Sequence, residues 1–574
     1  MNALARRPWI AGLAVVALFF LLSLLMTWPL VGDLTGSVIG WPGDNFYFAW
    51  LVGWFQQALQ SGQSPMIAPP FNYPEGWNLA YNEATPAMAL LGLPFSLIAG
   101  PVFGYNAALL LSFVLSGLGV FLWVRRITGS AAAAIIAGTI FAFAPYRMAH
   151  LLGHFNLMGT QWFPFFFLAL DDLLAQRARA LRHGAMAGLW LGLIALSSQY
   201  YLYMTLLIGA AYLLGSLLRD RTAARRSSTW LGLALAALVA LPLCALAAWP
   251  YVQLSLAGEL PVRSFEEVRM WSASPTDLLL PSPRQFIWGP WVDAHFDRRL
   301  WIENTLYVGA VTLVLVGLAL ALRHRAPGGG RVIGLALVAL IACVLALGTD
   351  LHWMGQPVIV DVPAWLQRLH PYPQTFIPLP GYALLKWLPF YGSMRIWMRY
   401  GIFVILFLAA MAGVGAAWLL SRVGPRRAPW VAAALVALVL VDFSQGSLQV
   451  ASARPRPVDL WLAQATPGPV VQMPIGLSTG PQQMLYALYR RQPFVGGFFA
   501  AYVSPQFRRV GPLLQSFPDP TSVATLRELG VRWVIVDLTI QPDSVSLAQT
   551  AAGLGMRLAT TIEGQQVYEL LPRE

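Results

Sequence analysis

Pro86-Ala87-Met88-Ala89-Leu90-Leu91-Gly92-Leu93-Pro94-Phe95-Ser96-Leu97-Ile98-Ala99-Gly100 is the stretch on which the topology of this chain turns. It is apolar enough to read as a membrane span, but it is shorter than the ~20 residues that cross a bilayer, and Pro94 interrupts it. The arginines decide how to read it. They cluster between apolar runs, at Arg6/Arg7, Arg125/Arg126, Arg177/Arg179/Arg182, Arg219/Arg221/Arg225/Arg226, Arg323/Arg325/Arg331 and Arg422/Arg426/Arg427. If residues 86–100 crossed the membrane, Arg125/Arg126 would lie outside and the alternation downstream would break. If they do not cross, every cluster shares one face, which the positive-inside rule makes cytoplasmic. The segment is therefore expected to be an interfacial or re-entrant helix.

Working outward from it, about eleven spans follow, near 9–30, 105–124, 131–145, 158–174, 184–198, 200–218, 229–250, 304–322, 331–347, 400–421 and 428–445. The N-terminus is expected inside and the C-terminus outside. The bulk numbers agree: of 574 residues 57% are hydrophobic and only 11% charged, with mean hydropathy +0.60. Soluble domains carry about 25% charged residues. The net charge of +12 is accounted for by topology, so nucleic acid is not an expected partner. Arg6 and Arg7 precede a long apolar run with no small-residue cleavage site after it, which predicts an uncleaved first span and not a signal peptide. Cys244 and Cys343 both fall inside expected spans and build neither a disulfide framework nor a metal site. Lysine is almost entirely replaced by arginine, which points to a GC-rich bacterial source and thus to the cytoplasmic (inner) membrane.

The long loops all fall on the outer side: 32–85, which contains no Lys or Arg, then 145–157, 253–303 and 349–399. Residues 1–446 are expected to form the transmembrane domain and 447–574 a small extracytoplasmic α/β domain. In the tail, Pro469–Met473, Val531–Asp537 and Gln566–Leu571 read as strands. Thr521–Leu529 reads as a helix stopped by Gly530.

The candidate chemistry lies in the outer loops. The first opens with Gly40-Trp41-Pro42-Gly43-Asp44-Asn45, followed by Phe46, Tyr47, Phe48, Trp50, Trp54 and Phe55. Trp50 and Trp54 share a helix face, which reads as an interfacial helix capped by Asp44 or Asn45. A Pro-rich segment, 65–77, is either an ordered turn-rich stretch or a mobile flap, and carries Glu75; Glu83 follows it. In the second loop Arg147, His150 and His154 fit either phosphate contact or polar residues near the headgroups. The histidine spacing is i, i+4, but Leu151 stands where a metalloprotease pattern needs Glu. Arg395 and Arg399, also at i, i+4, fit either phosphate neutralisation or snorkelling. Arg263, Glu266, Glu267 and Arg269 read as a solvated helix face. Tyr200, Tyr201 and Tyr203 read as interfacial anchors.

This arrangement resembles the GT-C superfamily of integral membrane glycosyltransferases, and within it the YfhO-like and uncharacterised bacterial GT-C-like membrane proteins. The resemblance covers nearly the whole chain, through topology and short loose motifs. Asp44 occupies the early acidic position of the first external loop, and residues 86–100 fit the interfacial segment. The tail stretches Arg491-Gln492-Pro493-Phe494-Val495-Gly496-Gly497 and Leu526-Arg527-Glu528-Leu529-Gly530-Val531-Arg532 add to it. The resemblance implies a glycosyltransferase that moves a sugar from a polyprenyl-phosphate-linked donor to a glycan, lipid or protein acceptor on the outer face, among membrane lipids. Asp44 would be the general base, because a carboxylate within hydrogen-bond reach takes the acceptor's proton as the anomeric carbon is attacked. Arg395, Arg399 and Arg147, with His150 and His154, would hold the carrier phosphate. Glu75 and Glu83 are acceptor-loop candidates. Some members carry acidic metal ligands in the second external loop; this chain has none there, so that loop does not support a divalent metal, and no cofactor is certain.

Two other readings remain. A transporter or flippase would place ionisable residues mid-span in matched halves, and neither feature stands out. A non-catalytic envelope assembly scaffold would need its tail and not Asp44.

Overall fold

The computed structural model describes residues 8–259, 263–365, 367–368, 372–388, 391–476, 480–498, 502–540 and 544–571. The chain is a multi-pass helical membrane protein with a strand-bearing C-terminal region. Eight helices are long and apolar enough to cross a membrane: Trp9–Met26, Pro101–Thr128, Ala131–His150, Arg177–Ser197, Gln199–Arg219, Ser227–Leu256, Gly329–Ala346 and Met398–Arg422. Eight of the expected spans fall on them. The other three, 158–174, 304–322 and 428–445, fall on the shorter helices Trp162–Ala175, Ala310–Ala321 and Ala428–Phe443. At 1.5 Å per residue, helices of this length rise only about 18–24 Å.

Residues Pro86–Ala99 form a separate short helix. It meets the helix Pro101–Thr128 at Gly100, so the deciding stretch does not merge with the next span. Small residues let the bundle close: a β-carbon on Gly184 would lie 2.1 Å from the Gly232 carbonyl oxygen, and one on Gly188 2.3 Å from that of Ala236. The helices Ala180–Ser197 and Ser227–Leu256 thus pack backbone to backbone, the usual solution where lipid removes the hydrophobic drive for side-chain packing.

The aromatic helix of the first external loop, Asp44–Gln60, departs from the interfacial expectation. Tyr47, Trp50 and Trp54 are buried, and the two indoles stack at 6.5 Å with Phe71 edge-on to Trp50 at 4.9 Å. The helix lies between the bundle and the C-terminal helix Gly480–Arg490, so these rings fill a protein interior and do not mark a headgroup layer. Tyr201 is likewise wholly buried and is not a membrane anchor.

The C-terminal region builds a four-stranded sheet in the order Met556–Ile562, Gln565–Leu570, Trp533–Asp537, Val470–Met473, with the last pair parallel and the others antiparallel. The helix Pro520–Glu528 packs beside it, and Gly530, at φ +70°, lies just beyond its end. The three expected strands are present within two residues of their expected bounds. Met556–Ile562 was not expected: it is a largely exposed edge strand whose sequence shows little alternation. Val450–Ser452 pairs antiparallel with Ser37–Ile39 of the first external loop. The Pro-rich segment is the ordered alternative: Phe494 N–H donates to the Pro70 carbonyl (2.7 Å), Asn72 N–H to that of Gly496 (2.8 Å), and Ser504 Oγ to Asn72 Oδ1 (3.0 Å).

Candidate active site

The four long loops that share one side of the spans all send side chains to one place. The first loop arrives through Ser37–Ile39 and turns at Gly40. Gly40 has φ +95°, and a β-carbon there would sit 2.3 Å from the Leu152 carbonyl oxygen, so only glycine lets this loop lie against the second. Asn45 then locks the turn. Its Nδ2 donates to the Ile39 carbonyl (2.7 Å), and its Oδ1 accepts from Gly43 N–H (3.1 Å) and Phe46 N–H (3.0 Å). The helix starts at Asp44 with Gly43 as its N-cap, so Asp44 is not consumed as a cap. Its carboxylate is only half-buried. It stands beside Gly153 of the second loop, where a β-carbon would be 3.7 Å from Asp44 Cβ.

The second loop contributes the short helix Pro145–His150 and the turn after it. The two rings meet at 3.4 Å, Nδ1 to Nδ1. The third loop supplies Glu303, buried in the turn Trp301–Asn304. His150 Nε2 lies 3.6 Å and His154 Nε2 3.8 Å from its carboxylate oxygens. The fourth loop supplies Arg399, which grips Glu303 with a fork: Nη2 to Oε1 at 2.6 Å and Nε to Oε2 at 3.1 Å. The guanidinium also lies 4.7 Å from the centre of the Tyr200 ring.

Arg395 is more open and less engaged. Its Nη1 is 3.7 Å from Glu267, its guanidinium lies 5.4 Å from the centre of the Trp271 ring, and its Nε has no hydrogen-bond partner among the described residues. Glu267 also pairs with Arg263 at 3.0 Å, as its helical spacing predicts, while Arg269 reaches beyond its own helix to Asp350 at 2.8 Å.

Electrostatics set the members apart. Burial raises the Asp44 carboxyl above its ordinary value, against the pull of His154 and Arg399. Burial also lowers the His154 imidazole, which keeps it neutral near pH 7. For Glu303, burial alone would raise the carboxyl, but the Arg399 charge and fork, with His150, overcome that and hold it well below the usual range.

The other expected residues are placed differently. Glu83 accepts from Ser198 Oγ, Asn156 Nδ2 and Gln199 N–H (3.0 Å); burial raises its carboxyl. Glu75 is tied to Arg509 at the surface. Arg147 turns into the bundle, donating to the Ala142 carbonyl and Ser112 Oγ, both at 2.6 Å, with Phe113 4.5 Å from its guanidinium. The structure therefore gathers Asp44, His150, His154 and Arg399, with Arg395 at the edge and Glu83 adjacent, but not Glu75 or Arg147. Sequence reasoning missed Glu303 and Tyr200. An acid at the very start of an apolar run was the available signal for Glu303.

A metal is the question this cluster raises, because His150, His154 and Glu303 offer ligand atoms all within 4.8 Å of one another. The arrangement does not fit one. Both Glu303 oxygens are already held by Arg399, whose positive charge would stand against a dication at the same carboxylate. EDTA treatment, and Mn²⁺ or Mg²⁺ added after it, are expected to leave the unfolding temperature of the purified protein unchanged. A fall restored by Mn²⁺ or Mg²⁺ would show that Glu303 exchanges its arginine for a metal.

Residues 9–372 match the family model described as a domain of unknown function, DUF6311. No curated protein matches the sequence. Among solved structures, the chain is similar to the arabinofuranosyltransferase AftD from Mycobacteria, with TM-score 0.59, 16% identity, and 99% of this chain aligned to 40% of that one. This chain thus spans less than half the length of AftD. It is also similar to the apo oligosaccharyltransferase of Archaeoglobus fulgidus (TM-score 0.53, 14% identity, 98% of this chain and 74% of that). A third is ArnT from Cupriavidus metallidurans bound to undecaprenyl phosphate (TM-score 0.51, 13% identity, 99% of each chain). These likenesses show a shared fold, that of the GT-C membrane proteins.

Proposed function

We propose that this chain, which belongs to the DUF6311 family and has the GT-C fold, is a membrane glycosyltransferase acting on the outer face of the cytoplasmic membrane with a polyprenyl-phosphate-linked sugar as donor. The observation that carries this reading is a carboxylate, Asp44, that does not serve as its helix's N-cap and stands against the second-loop turn, under the pull of His154 and of Arg399 from the fourth loop. The arginine clusters on the opposite side of the spans support the outward orientation, and ArnT, with which the chain shares its fold, binds undecaprenyl phosphate.

In the reaction, Asp44 takes the proton of the acceptor hydroxyl, and the acceptor oxygen bonds to the anomeric carbon. The bond from that carbon to the phosphate oxygen breaks, and polyprenyl phosphate leaves with the electron pair. Arg395, with a free Nε and only a distant partner, meets the charge that develops on the phosphate. Arg399 serves differently: it holds Glu303, and through it the two histidines, in place beside Asp44.

The raised Asp44 pKa has a testable sign. A base works only when ionised, so the rate falls as pH drops through that pKa. The acid limb of the pH–rate profile is expected above 3.8, the ordinary value for an aspartate. In Asp44→Asn, any residual rate should lack that limb.

The reading is tested by mass-spectrometric profiling of lipid-linked sugars and envelope glycans in cells with and without the gene. Accumulation of one polyprenyl-phosphate sugar with loss of one glycan supports it and identifies the sugar. An unchanged donor pool and glycan profile overturn it.

A further inference from the structure

Beside the site lies a cavity of about 290 Å³ that the mechanism above does not use. This is close to the lower end of small-molecule pockets, about 300 Å³. Its walls are apolar, formed by Phe55 and Leu59, by Leu90 of the short helix, and by Leu246 and Ala247 of Ser227–Leu256. One end is polar, and there the lining is Glu83, Thr85, Ser198 and Gln199.

That end has unmet hydrogen-bonding capacity. Thr85 Oγ1 and Gln199 Oε1 are both buried without a partner among the described residues. The Gln199 amide is oriented by its nitrogen, which donates to the Ala247 carbonyl at 3.0 Å, so its oxygen is the free atom. Thr85 is 2% exposed and sits at φ +37°, a left-handed conformation that is rare for a β-branched residue and strained. A buried polar atom left unpaired adds a further cost. A ligand that pairs these atoms would remove it.

The charge identifies what fits. Among the described residues no Lys or Arg lines the cavity, and the one charged side chain there is the carboxylate of Glu83. A carrier phosphate would face that carboxylate and is disfavoured here; its match is Arg395, which does not line the cavity. A hydroxyl suits the cavity's polar end, donating to Gln199 Oε1 or Glu83 and accepting from Thr85. Glu83 already accepts from three donors, which disperses its charge and favours a neutral head over an ammonium.

We propose that this cavity receives the apolar chain of a lipid-borne acceptor, one of whose hydroxyls, distinct from the one that reacts at Asp44, is held by Thr85, Gln199 and Glu83. The assignment of that lipid as acceptor rests on the transferase reading above; its binding does not. Asn156, which donates to Glu83, would join the acceptor end to the loop that carries His154.

The test is photo-crosslinking of the full-length protein in lipid nanodiscs with a sixteen-carbon alcohol bearing a diazirine in its chain, beside the same chain ending in phosphate or ammonium. The alcohol is expected to label peptides spanning 84–90 and 195–199. The phosphate should label them about tenfold less, a difference of about 1.4 kcal/mol. Ala247→Phe, which fills the cavity, should abolish labelling. Thr85→Ala, which adds no bulk, should weaken it and keeps the test open if the larger side chain disturbs folding. Equal or stronger labelling by the phosphate would overturn the proposal and give the cavity to the carrier. Stronger labelling by the ammonium would overturn the hydroxyl assignment. Labelling that neither variant changes would mean general lipid contact and overturn it as well. Because the readout is binding, labelling as expected together with an unchanged glycan profile would leave the lipid site standing and remove the transferase reading alone.

Discussion

Asp44→Asn is expected to lower the rate of sugar transfer by about 10²–10⁴-fold, the usual contribution of a positioned base. Donor affinity should change little, since Arg395 and the Arg399–Glu303 pair are untouched. The loss should therefore fall on kcat and not on KM, the signature of an interaction made in the transition state. The exchange is nearly isosteric, and the helix that starts at this residue has Gly43 as its N-cap, so the fold should not respond. The check is the rate of donor turnover in membranes holding equal amounts of each protein, with the apparent unfolding temperature as control. An Asn variant with wild-type turnover would remove Asp44 from the chemistry.

Arg399→Ala is expected to have the largest effect on stability. It leaves Glu303 buried without its counter-charge, a loss of about 3–5 kcal/mol for a broken buried pair. The partners are 7% exposed on each side, so solvent does little to replace the lost contact. Arg399→Lys should fall between, because an ammonium cannot reproduce the fork. The double variant Arg399→Met with Glu303→Met should regain part of the loss, since it leaves no stranded charge. Thermal unfolding of the detergent-solubilised proteins checks all three. If Arg399→Ala melts with the wild type, the pair is not holding the site. The pH dependence has a definite sign. The Glu303 carboxyl is depressed in the folded state, so its stabilisation is fully present above its ordinary pKa of 4.5 and is lost as pH falls toward the depressed value.

That the long loops converge was legible because long polar loops, read against arginine clusters, share a face. Asp44 entered the candidate set from its place early in the first loop and His150 with His154 from their spacing, and the structure brings the three near one another. Arg147 was misleading for a physical reason: at the start of a short helix, rotation by one residue decides whether a side chain meets the site or the bundle, and here it meets Phe113 and Ser112. Trp50 and Trp54 misled in the same way. Composition cannot tell an aromatic face turned to headgroups from one turned to a second layer of protein, and here the C-terminal helix Gly480–Arg490 supplies that layer.

Hydropathy and arginine placement were enough to establish a multi-pass helical chain with a strand-bearing tail, because both are local sums over neighbouring residues and the bilayer imposes their scale. They could not show that Glu303 is the carboxylate Arg399 holds, that Asn156 joins Glu83 to the second loop, or that the first loop is sewn to the strand Val450–Ser452. Those contacts join residues 96, 73 and more than 400 positions apart. They form only when the helices pack and bring the loop ends together, and a buried charge is then stable only where a partner has been brought to it.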